Sequence, residues 1–522
     1  MVTKALKIVL IAFLLSSVLS SISKATLLEN IPLDSWVYAV VDELHCQGLF
    51  PSLHKNVKPY TRGEIASLVL EINLRQKEGV LRLSDSQLWL LGKLNQEFRF
   101  ELEELYYKKQ KKDEDQTVLR YGTSPIAHTT LTEGDSSYGR VQTRFETSLQ
   151  FDKRFVLKNR VVIDTKAEKE RRYEGREWKN HLTGVLDEAY ANIDFGYFRL
   201  LLGRDHIRWG PGREDVLLLS DQIPPFDMIK LEGGVGSFKL AYFATVLDQV
   251  YFPPLHHRLS GFWAKRYLSG HRLNLKLKMG VEMGISEVVL YGGNNRDIEP
   301  YYLNPLLPYY GEQFNQDMDD NILWSFDIVL SMFKNKELYF ELLIDDFQYD
   351  FESEPHQTGF QVGLNYAEPF GLRRSYVNLE YTKINNWVYG QNKPWNRYTY
   401  HGWGMGSILG PDADRWSFEL IYHFTKDIDL AFLEEYRRKG EGRIDLPQTS
   451  AVPSSKKFPS GVVEYTNQSK FMLTYQPSAN LKVDLSAEYN KIKNLENESG
   501  KKENALVFKA NLSWNFWKER RF

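Results

Sequence analysis

The sequence predicts an all-β transmembrane barrel of about 18 antiparallel strands, preceded by a small α-helical periplasmic domain. Three observations carry this prediction: an export signal, a hydrophobic period that switches from helical spacing to strict alternation, and connections that alternate short and long. An aromatic content of 14% beside a mean hydropathy of -0.44 fits many amphipathic strands better than long apolar helices.

Residues 1–25 have the build of a signal peptide. Lys4 and Lys7 precede an apolar run from Ile8 to Leu19, and Ser23-Lys24-Ala25 puts small residues where a signal peptidase cuts. The run is too short to span a bilayer as a helix, and no cysteine follows it as a lipid-attachment site. The single cysteine, Cys46, rules out an intrachain disulfide and is expected to be a small buried residue. A formal net charge of -2 leaves no basic excess for nucleic acid, so that partner is not expected.

Residues 26–115 form the predicted helical domain. Val37, Val40, Val41 and Leu44 recur at helical spacing before Gly48 and Pro51 stop the helix. Thr61 and Glu64 form a capping box ahead of Ile65, Leu68, Val69 and Ile72, and Ser84 with Gln87 opens a longer helix through Leu105. The charged run Lys108 to Gln116 reads as the end of that helix and a linker.

From residue 116 to 522 the period is two. Val141, Thr143, Phe145, Thr147, Leu149 and Phe151 alternate with polar residues, which gives one face for oil and one for water. Later runs, such as Trp416 to Phe424 and Leu506 to Phe516, repeat the pattern. Candidate strands fall at 117–131, 139–152, 155–168, 186–195, 197–206, 225–232, 237–248, 259–268, 272–286, 321–333, 337–350, 358–367, 375–384, 415–425, 428–438, 464–476, 481–492 and 504–516. Short connections, including a turn at Ser269-Gly270-His271, alternate with long ones at 169–185, 206–224, 249–258, 287–320, 385–414 and 439–460. With both chain ends in the periplasm, every long loop is expected outside the cell or folded into the lumen. The location implied is the outer membrane of a Gram-negative-type bacterium, where membrane lipid is itself a partner.

Catalytic signatures are absent from the sequence: no Gly-x-Ser-x-Gly elbow, His-Glu-x-x-His helix, phosphate-binding loop or cysteine pair occurs, so neither an enzyme nor a cofactor or metal is expected. His256-His257, Asp345-Asp346 and the group Asp317, Asp319 and Asp320 are each read as polar loop positions rather than metal ligands. Sugar recognition has better support. Residues 385–414 combine flat aromatics with amides and planar donors, among them Trp387, Tyr389, Trp395, Arg397, Tyr398, His401 and Trp403. A pyranose stacks its C-H face on such rings while its hydroxyls bond to the polar groups. The stretch Gly203–Asp215 offers Trp209 as a further platform and Arg204, Arg208 and Arg213 as donors; equally, Gly210-Pro211-Gly212 could only turn the chain inward.

The ordered motifs "GRDHIRWGPG", "LLLSDQIPPFDMIKLE", "SEVVLYGGNNRDIEPYYLNPLLPYYGEQ", "DDNILWSFDIVL", "LLIDDFQ" and "HGWGMGSILGPDAD" resemble the capsule assembly protein Wzi family. The resemblance implies an outer-membrane barrel that acts as a lectin for capsular or exopolysaccharide, with Arg204, Trp209, Gly210, Pro211, Gly212, Asn304, Pro305, Asp345, Asp346, His401, Gly402, Gly410, Pro411 and Asp412 inside the shared motifs. "DSWVYAVVDELHCQGLF" followed by "KPYTRGEIASLVL" resembles one S-layer homology repeat, which implies Arg62 as a wall-polymer contact and peptidoglycan or periplasmic assembly proteins as partners. The leading expectation is therefore surface-polysaccharide binding in capsule or exopolysaccharide assembly and attachment. The alternative is a porin or channel for sugars or other small solutes.

Overall fold

A computed structural model describes residues 27–110, 117–132, 137–151, 154–166, 178, 182–253, 261–346, 356–446 and 457–521. The expected signal peptide, residues 1–25, and His256 and His257 lie outside this set. Eighteen antiparallel staves close into one barrel. They are β1 (Val118–Thr132), β2 (Tyr138–Phe151), β3 (Phe155–Asp164), β4 (Thr183–Asp194), β5 (Phe198–Asp205), β6 (Phe226–Val235), β7 (Phe238–Phe252), β8 (Phe262–Leu277) and β9 (Val281–Gly293). The circuit continues with β10 (Asn321–Phe333), β11 (Lys336–Asp346), β12 (Gln357–Ala367), β13 (Ser375–Ile384), β14 (Ala413–His423), β15 (Ile428–Lys439), β16 (Glu464–Ser478), β17 (Leu481–Lys493) and β18, which runs Lys502–Trp514 and resumes as Phe516–Arg521. The last stave pairs with the first, Ile126 opposite Ser513 and Gly122 opposite Trp517, so no sheet edge is left open.

Alternation sorts the side chains with the polarity of a membrane barrel. On β17 Leu485 and Tyr489 point out while Asp484, Ser486, Glu488 and Asn490 point in; on β10 Phe326 points out while Ser325 and Asp327 are buried inside. An apolar exterior around a polar interior is stable only with hydrocarbon outside, because a charge on the lipid face at mid-bilayer costs about 2–4 kcal/mol. Among the described residues no helix is long and apolar enough to cross a membrane.

Short turns gather at one end of the barrel, called here the turn end, and long connections at the other, the loop end. Both ends of the barrel sheet lie at the turn end. The expected turn at Ser269-Gly270-His271 is instead mid-strand in β8, where Gly270 pairs with Val288 and Phe243. The reversal comes at Lys278-Met279-Gly280, with Met279 and Gly280 both at positive φ. A second difference concerns the connection 294–320, which neither stands free outside nor enters the lumen but folds down the outer wall of β7–β10.

Four helices sit at the turn end: α1 (Val37–Cys46), α2 (Arg62–Lys77), α3 (Asp85–Glu97) and α4 (Arg99–Gln110). Both capping boxes form, Thr61 with Glu64 and Ser84 with Gln87. The longer helix expected from residue 84 breaks at Phe98, whose ring is wholly buried beneath α2. Cys46 is buried, and burial pushes its thiol up to about 12. The helices are keyed to the barrel mouth: His45 Nδ1 lies 2.7 Å from Glu337, Ser86 donates to Glu368 at 2.8 Å, and Lys93 to Asp429 at 2.8 Å. Residues on either side of α1 run inside the lumen. Asn30 N donates to the Tyr190 hydroxyl at 2.8 Å, and Asn56 Nδ2 to Asp327 at 2.7 Å.

Candidate functional site

The connection after β5 builds the centre of the lumen. At Gly210 φ is 133° and a Cβ would lie 2.9 Å from both Glu341 Oε2 and Val216, so the inward bend requires glycine there. Beyond it Val216, Leu217, Leu218 and Leu219 are wholly buried, and Trp209 N donates to Leu219 O at 3.0 Å. This segment meets the N-terminal one head on. Val57 and Lys58 pair antiparallel with Trp209 and Arg208, and Gly210 N donates to Asn56 O at 3.1 Å. Two chain segments that enter from opposite ends thus join as a plug.

Residues 385–412 close over this plug from the loop end. The Tyr389 and Tyr398 hydroxyls donate to Leu217 O at 2.6 Å and Leu218 O at 3.0 Å, and Ser407 Oγ donates to Asp215 at 2.5 Å. Arg266, fully buried on β8, holds the same lid through Trp395 O at 2.9 Å and Arg397 O and Thr399 O at 2.7 Å. A guanidinium aimed at three carbonyls fixes backbone whose only sheet pairing is the short ribbon of Thr399–Tyr400 with Trp403–Gly404. Asp412 ties in the next loop, accepting from Gly442 N and Ser460 N at 3.0 Å.

The sequence-derived sugar contacts divide under this geometry. Trp209, Trp387, Tyr389 and Tyr398 are buried in the plug and lid; Trp209 packs edge-on against Phe243 with centroids 5.4 Å apart. Arg208 is held by Asp221 at 2.8 Å and by Gly212 O and Arg213 O at 2.9 Å, while Arg213 bonds to Glu419 at 2.5 Å and stacks over Tyr376. Arg204 lies on the outer wall and pairs with Asp227, its Nε 2.9 Å from Oδ1. Trp395, Arg397, His401 and Trp403 remain half-exposed at the loop end. Trp395 is wedged against Phe252 and Phe262 with centroids 5.4 and 5.6 Å away. Arg62 is far from all of these, in the helical domain, where it bonds to Glu101 at 2.5 Å and Glu97 at 2.8 Å.

Asp345 accepts from Tyr389 N, Asp320 from Arg296 and the Tyr302 hydroxyl, and Asp319 pairs with Lys393 at 2.6 Å. Among the described residues no group of three or more His, Cys, Asp or Glu side chains is arranged to hold a metal.

Beside the plug, between it and the inner faces of β1–β4, a chamber of about 450 Å³ opens at the loop end. Arg140, Arg144, Arg160 and His206 line it opposite Asp34, Asp164, Asp187 and Asp221, with Leu33, Val162 and Val185 as apolar wall. Arg140 Nε forks onto Asp164 at 2.8 and 3.0 Å, Arg144 reaches Asp34 at 2.7 Å, and Arg160 reaches Asp187 at 2.6 Å. Burial works against a charged His206, but its 3.2 Å hydrogen bond to Asp187 and that carboxylate's charge outweigh it and raise the ring to about 9. Polar capacity is left over: His128 Nε2, Arg144 Nε and Arg160 Nε are buried without a protein partner. Four aspartates face three arginines and the charged His206 ring, with His128 beside them, so the chamber is strongly polar and its formal charges nearly balance. Sequence reasoning passed over these residues because Arg140, Gln142, Arg144 and Arg160, Val162, Asp164 look like the ordinary inward half of two strands. The available signal was the repeat of arginine at alternate inward positions on neighbouring strands.

The lumen is not filled evenly. The plug's apolar core contacts the walls from β3 to β14, whereas no residue of β16, β17 or β18 with a described side chain is buried. A crescent along those staves, lined by Gln468, Lys470, Asp484, Glu488, Asn490 and Asn511, stays accessible to solvent.

A family model described as capsule assembly protein Wzi matches residues 87–506. Among solved structures the chain is similar to Wzi of Escherichia coli, an outer-membrane protein involved in group 1 capsule assembly and a carbohydrate-binding β-barrel. The TM-score is 0.62 at 13% identity, over 93% of this chain and 99% of that one. It is also similar to Pseudomonas aeruginosa OccD3 (OpdP), with a TM-score of 0.46 at 7% identity over 76% of this chain and 91% of that one. No match was found among curated protein sequences.

Proposed function

Because the chain belongs to the capsule assembly protein Wzi family, we propose that it binds surface polysaccharide at the loop end of the barrel and so takes part in capsule or exopolysaccharide assembly and attachment. The observation that carries this reading is the chamber of about 450 Å³ in which paired guanidinium and carboxylate groups sit side by side. A sugar hydroxyl both donates and accepts, so such pairs satisfy it from two sides. Their charge balance favours a neutral or weakly charged repeat unit over a polyanion.

Trp395, Arg397, His401 and Trp403 extend the surface across the lid, where a ring face and neighbouring donors meet the next sugars of the same chain. Each contact is weak, and the affinity comes from many along one repeating polymer. In this reading the loop end faces outward and the turn end, with its four helices, faces the periplasm, within reach of peptidoglycan or assembly proteins. The role is one of binding rather than catalysis.

Deleting the gene is expected to release polymer into the medium while synthesis continues, and a Trp395→Ala, Arg397→Ala double variant to restore retention only in part. Unchanged surface retention in the deletion strain would refute the proposal. The solvent-accessible crescent along β16–β18 favours one second reading, a channel for small solutes. Steady large conductance of the wild-type protein in planar bilayers, together with absent glycan binding, would establish that instead.

A further inference from the structure

On β7–β10 the outward positions nearest the turn end, such as Leu273, Met283, Ile285 and Phe326, are exposed as lipid-facing residues should be. Further along the same faces Tyr242, Tyr267, Val289, Tyr291 and Ile322 are buried. The cover is residues 294–320. Tyr302 and Tyr309 pack on this wall, Tyr302 against Tyr291 at 4.8 Å and Tyr309 against His271 at 4.5 Å. Beneath them Glu287, a carboxylate on the lipid side of mid-strand β9, accepts from Tyr309 N at 2.8 Å, Tyr310 N at 2.9 Å and Trp324 Nε1 at 2.9 Å, with His271 Nε2 3.2 Å away. The wall there is polar, and the flap satisfies Glu287, while His271 Nδ1 and the Tyr309 hydroxyl stay buried without a protein partner.

The tip of the flap, Leu303-Asn304-Pro305-Leu306-Leu307-Pro308, pairs its amides locally through turn bonds. Tyr302 N donates to Glu299 O, Asn304 N to Tyr301 O, Leu306 N to Asn304 Oδ1 and Leu307 N to Asn304 O, at 3.0–3.4 Å. Pro300, Pro305 and Pro308 have no N-H to satisfy. Such local pairing is compatible with hydrocarbon, where each unpaired amide costs several kcal/mol. Leu306 is 76% exposed and Phe314 67%. Arg296, Asp297, Asp317 and Asp319 lie near the strand ends, and Arg296 holds Glu299 there at 2.8 Å; Glu312, on the helical turn after the tip, accepts from Gln316 Nε2 at 2.8 Å. Between Pro305 and the outer faces of Phe198, Leu231, Phe238, Leu240 and Leu273 lies an apolar crevice of about 330 Å³.

We propose that residues 298–314 form a flap immersed in the bilayer against the outside of the barrel, and that the crevice under Pro305 holds an acyl chain of a membrane lipid. The occupant is hydrocarbon because the exposed tip continues the apolar band of the wall and its amides are satisfied without a partner chain. This inference depends on the barrel spanning a membrane and not on polysaccharide binding.

The test uses the full mature chain in phosphatidylcholine vesicles. In a Cys46→Ala background, Leu306→Cys carries an NBD fluorophore, with Asp317→Cys as the rim control and Phe418→Cys as a lipid-facing control. Mid-chain doxyl phosphatidylcholine is expected to quench the 306 label severalfold more than aqueous iodide does, as at 418, with the order reversed at 317. Iodide quenching at 306 equal to that at 317 would overturn the proposal; protection from both quenchers would also overturn it, by assigning a second protein as the cover. A phosphatidylcholine with a mid-chain diazirine should crosslink to 298–314 and to 231–242, and Leu231→Trp should abolish that crosslink. Labelling spread evenly over the outer wall, insensitive to Leu231→Trp, would overturn the crevice.

Discussion

Replacing Trp209 with alanine is expected to loosen the plug while leaving the barrel wall closed. The indole is 0% exposed, packs edge-on against Phe243 and belongs to the same core as Leu217, Leu218 and Leu219. Removing a buried tryptophan costs about 3–5 kcal/mol, because the transfer energy and the cavity left behind add. No stave hydrogen bond depends on that side chain, so the loss falls on seating of the plug, raising its displaced population by roughly a hundredfold to a few thousandfold. Planar-bilayer recording detects such displacement as frequent large openings in Trp209→Ala that are rare in wild type. Glycan affinity should fall only in proportion to the displaced fraction. Unchanged conductance and melting beside abolished glycan binding would refute the reasoning, since Trp209 would then touch the ligand and not the core.

Two other perturbations follow from the same packing. Arg62→Ala leaves fully buried Glu101 without its 2.5 Å partner, and breaking such a pair from one side costs about 3–5 kcal/mol; the helical domain should become protease-sensitive while the barrel resists. His206, raised from 6.5 to about 9 chiefly through Asp187 against the opposing effect of burial, stabilises the folded state fully below pH 6.5, and this contribution is lost as pH rises through about 9. Urea midpoints measured across pH 6–10 should therefore decline more steeply for wild type than for His206→Gln, and equal slopes would show that the His206–Asp187 pair does not contribute.

The barrel was legible because alternation is enforced twice, by lipid outside and by polar packing inside. The expected strands 464–476 and 481–492 match Glu464–Ser478 and Leu481–Lys493 within two residues. The hairpin of β8 and β9 misled for a physical reason. Its three-residue turn puts Leu277 opposite Val281, and paired residues share a face, so the alternation Leu275, Leu277, Val281, Met283 runs through the reversal in phase. Ser269-Gly270-His271 looks like turn chemistry, yet Gly270 is required by packing: a Cβ would lie 2.7 Å from Phe243 and 2.8 Å from Val288.

The site was less legible. Aromatics beside arginine and amides describe a sugar platform and a buried plug equally well; Trp209 belongs to the plug because Gly210 turns the chain inward, and Tyr389 and Tyr398 are buried because the lid closes onto Leu217 and Leu218. No local pattern says which way a long loop folds. The chamber arginines lie on two adjacent strands of a closed sheet, β2 and β3, and only closure with the plug brings Asp34 and His206 across from them. Arg62 matches its motif, but its donors are taken by Glu97 and Glu101, which lie 35 and 39 residues further along the chain.

The most direct test of polysaccharide binding in the chamber is an isotherm for the purified barrel with surface polysaccharide from the same organism, comparing wild type with Arg144→Ala and with Val185→Trp. Both changes alter the chamber wall and leave the plug's core untouched. The account predicts saturable binding by wild type and at least a tenfold weaker Kd for each variant, corresponding to about 1.4 kcal/mol, with melting temperatures unchanged. Equal affinity in all three proteins would contradict it.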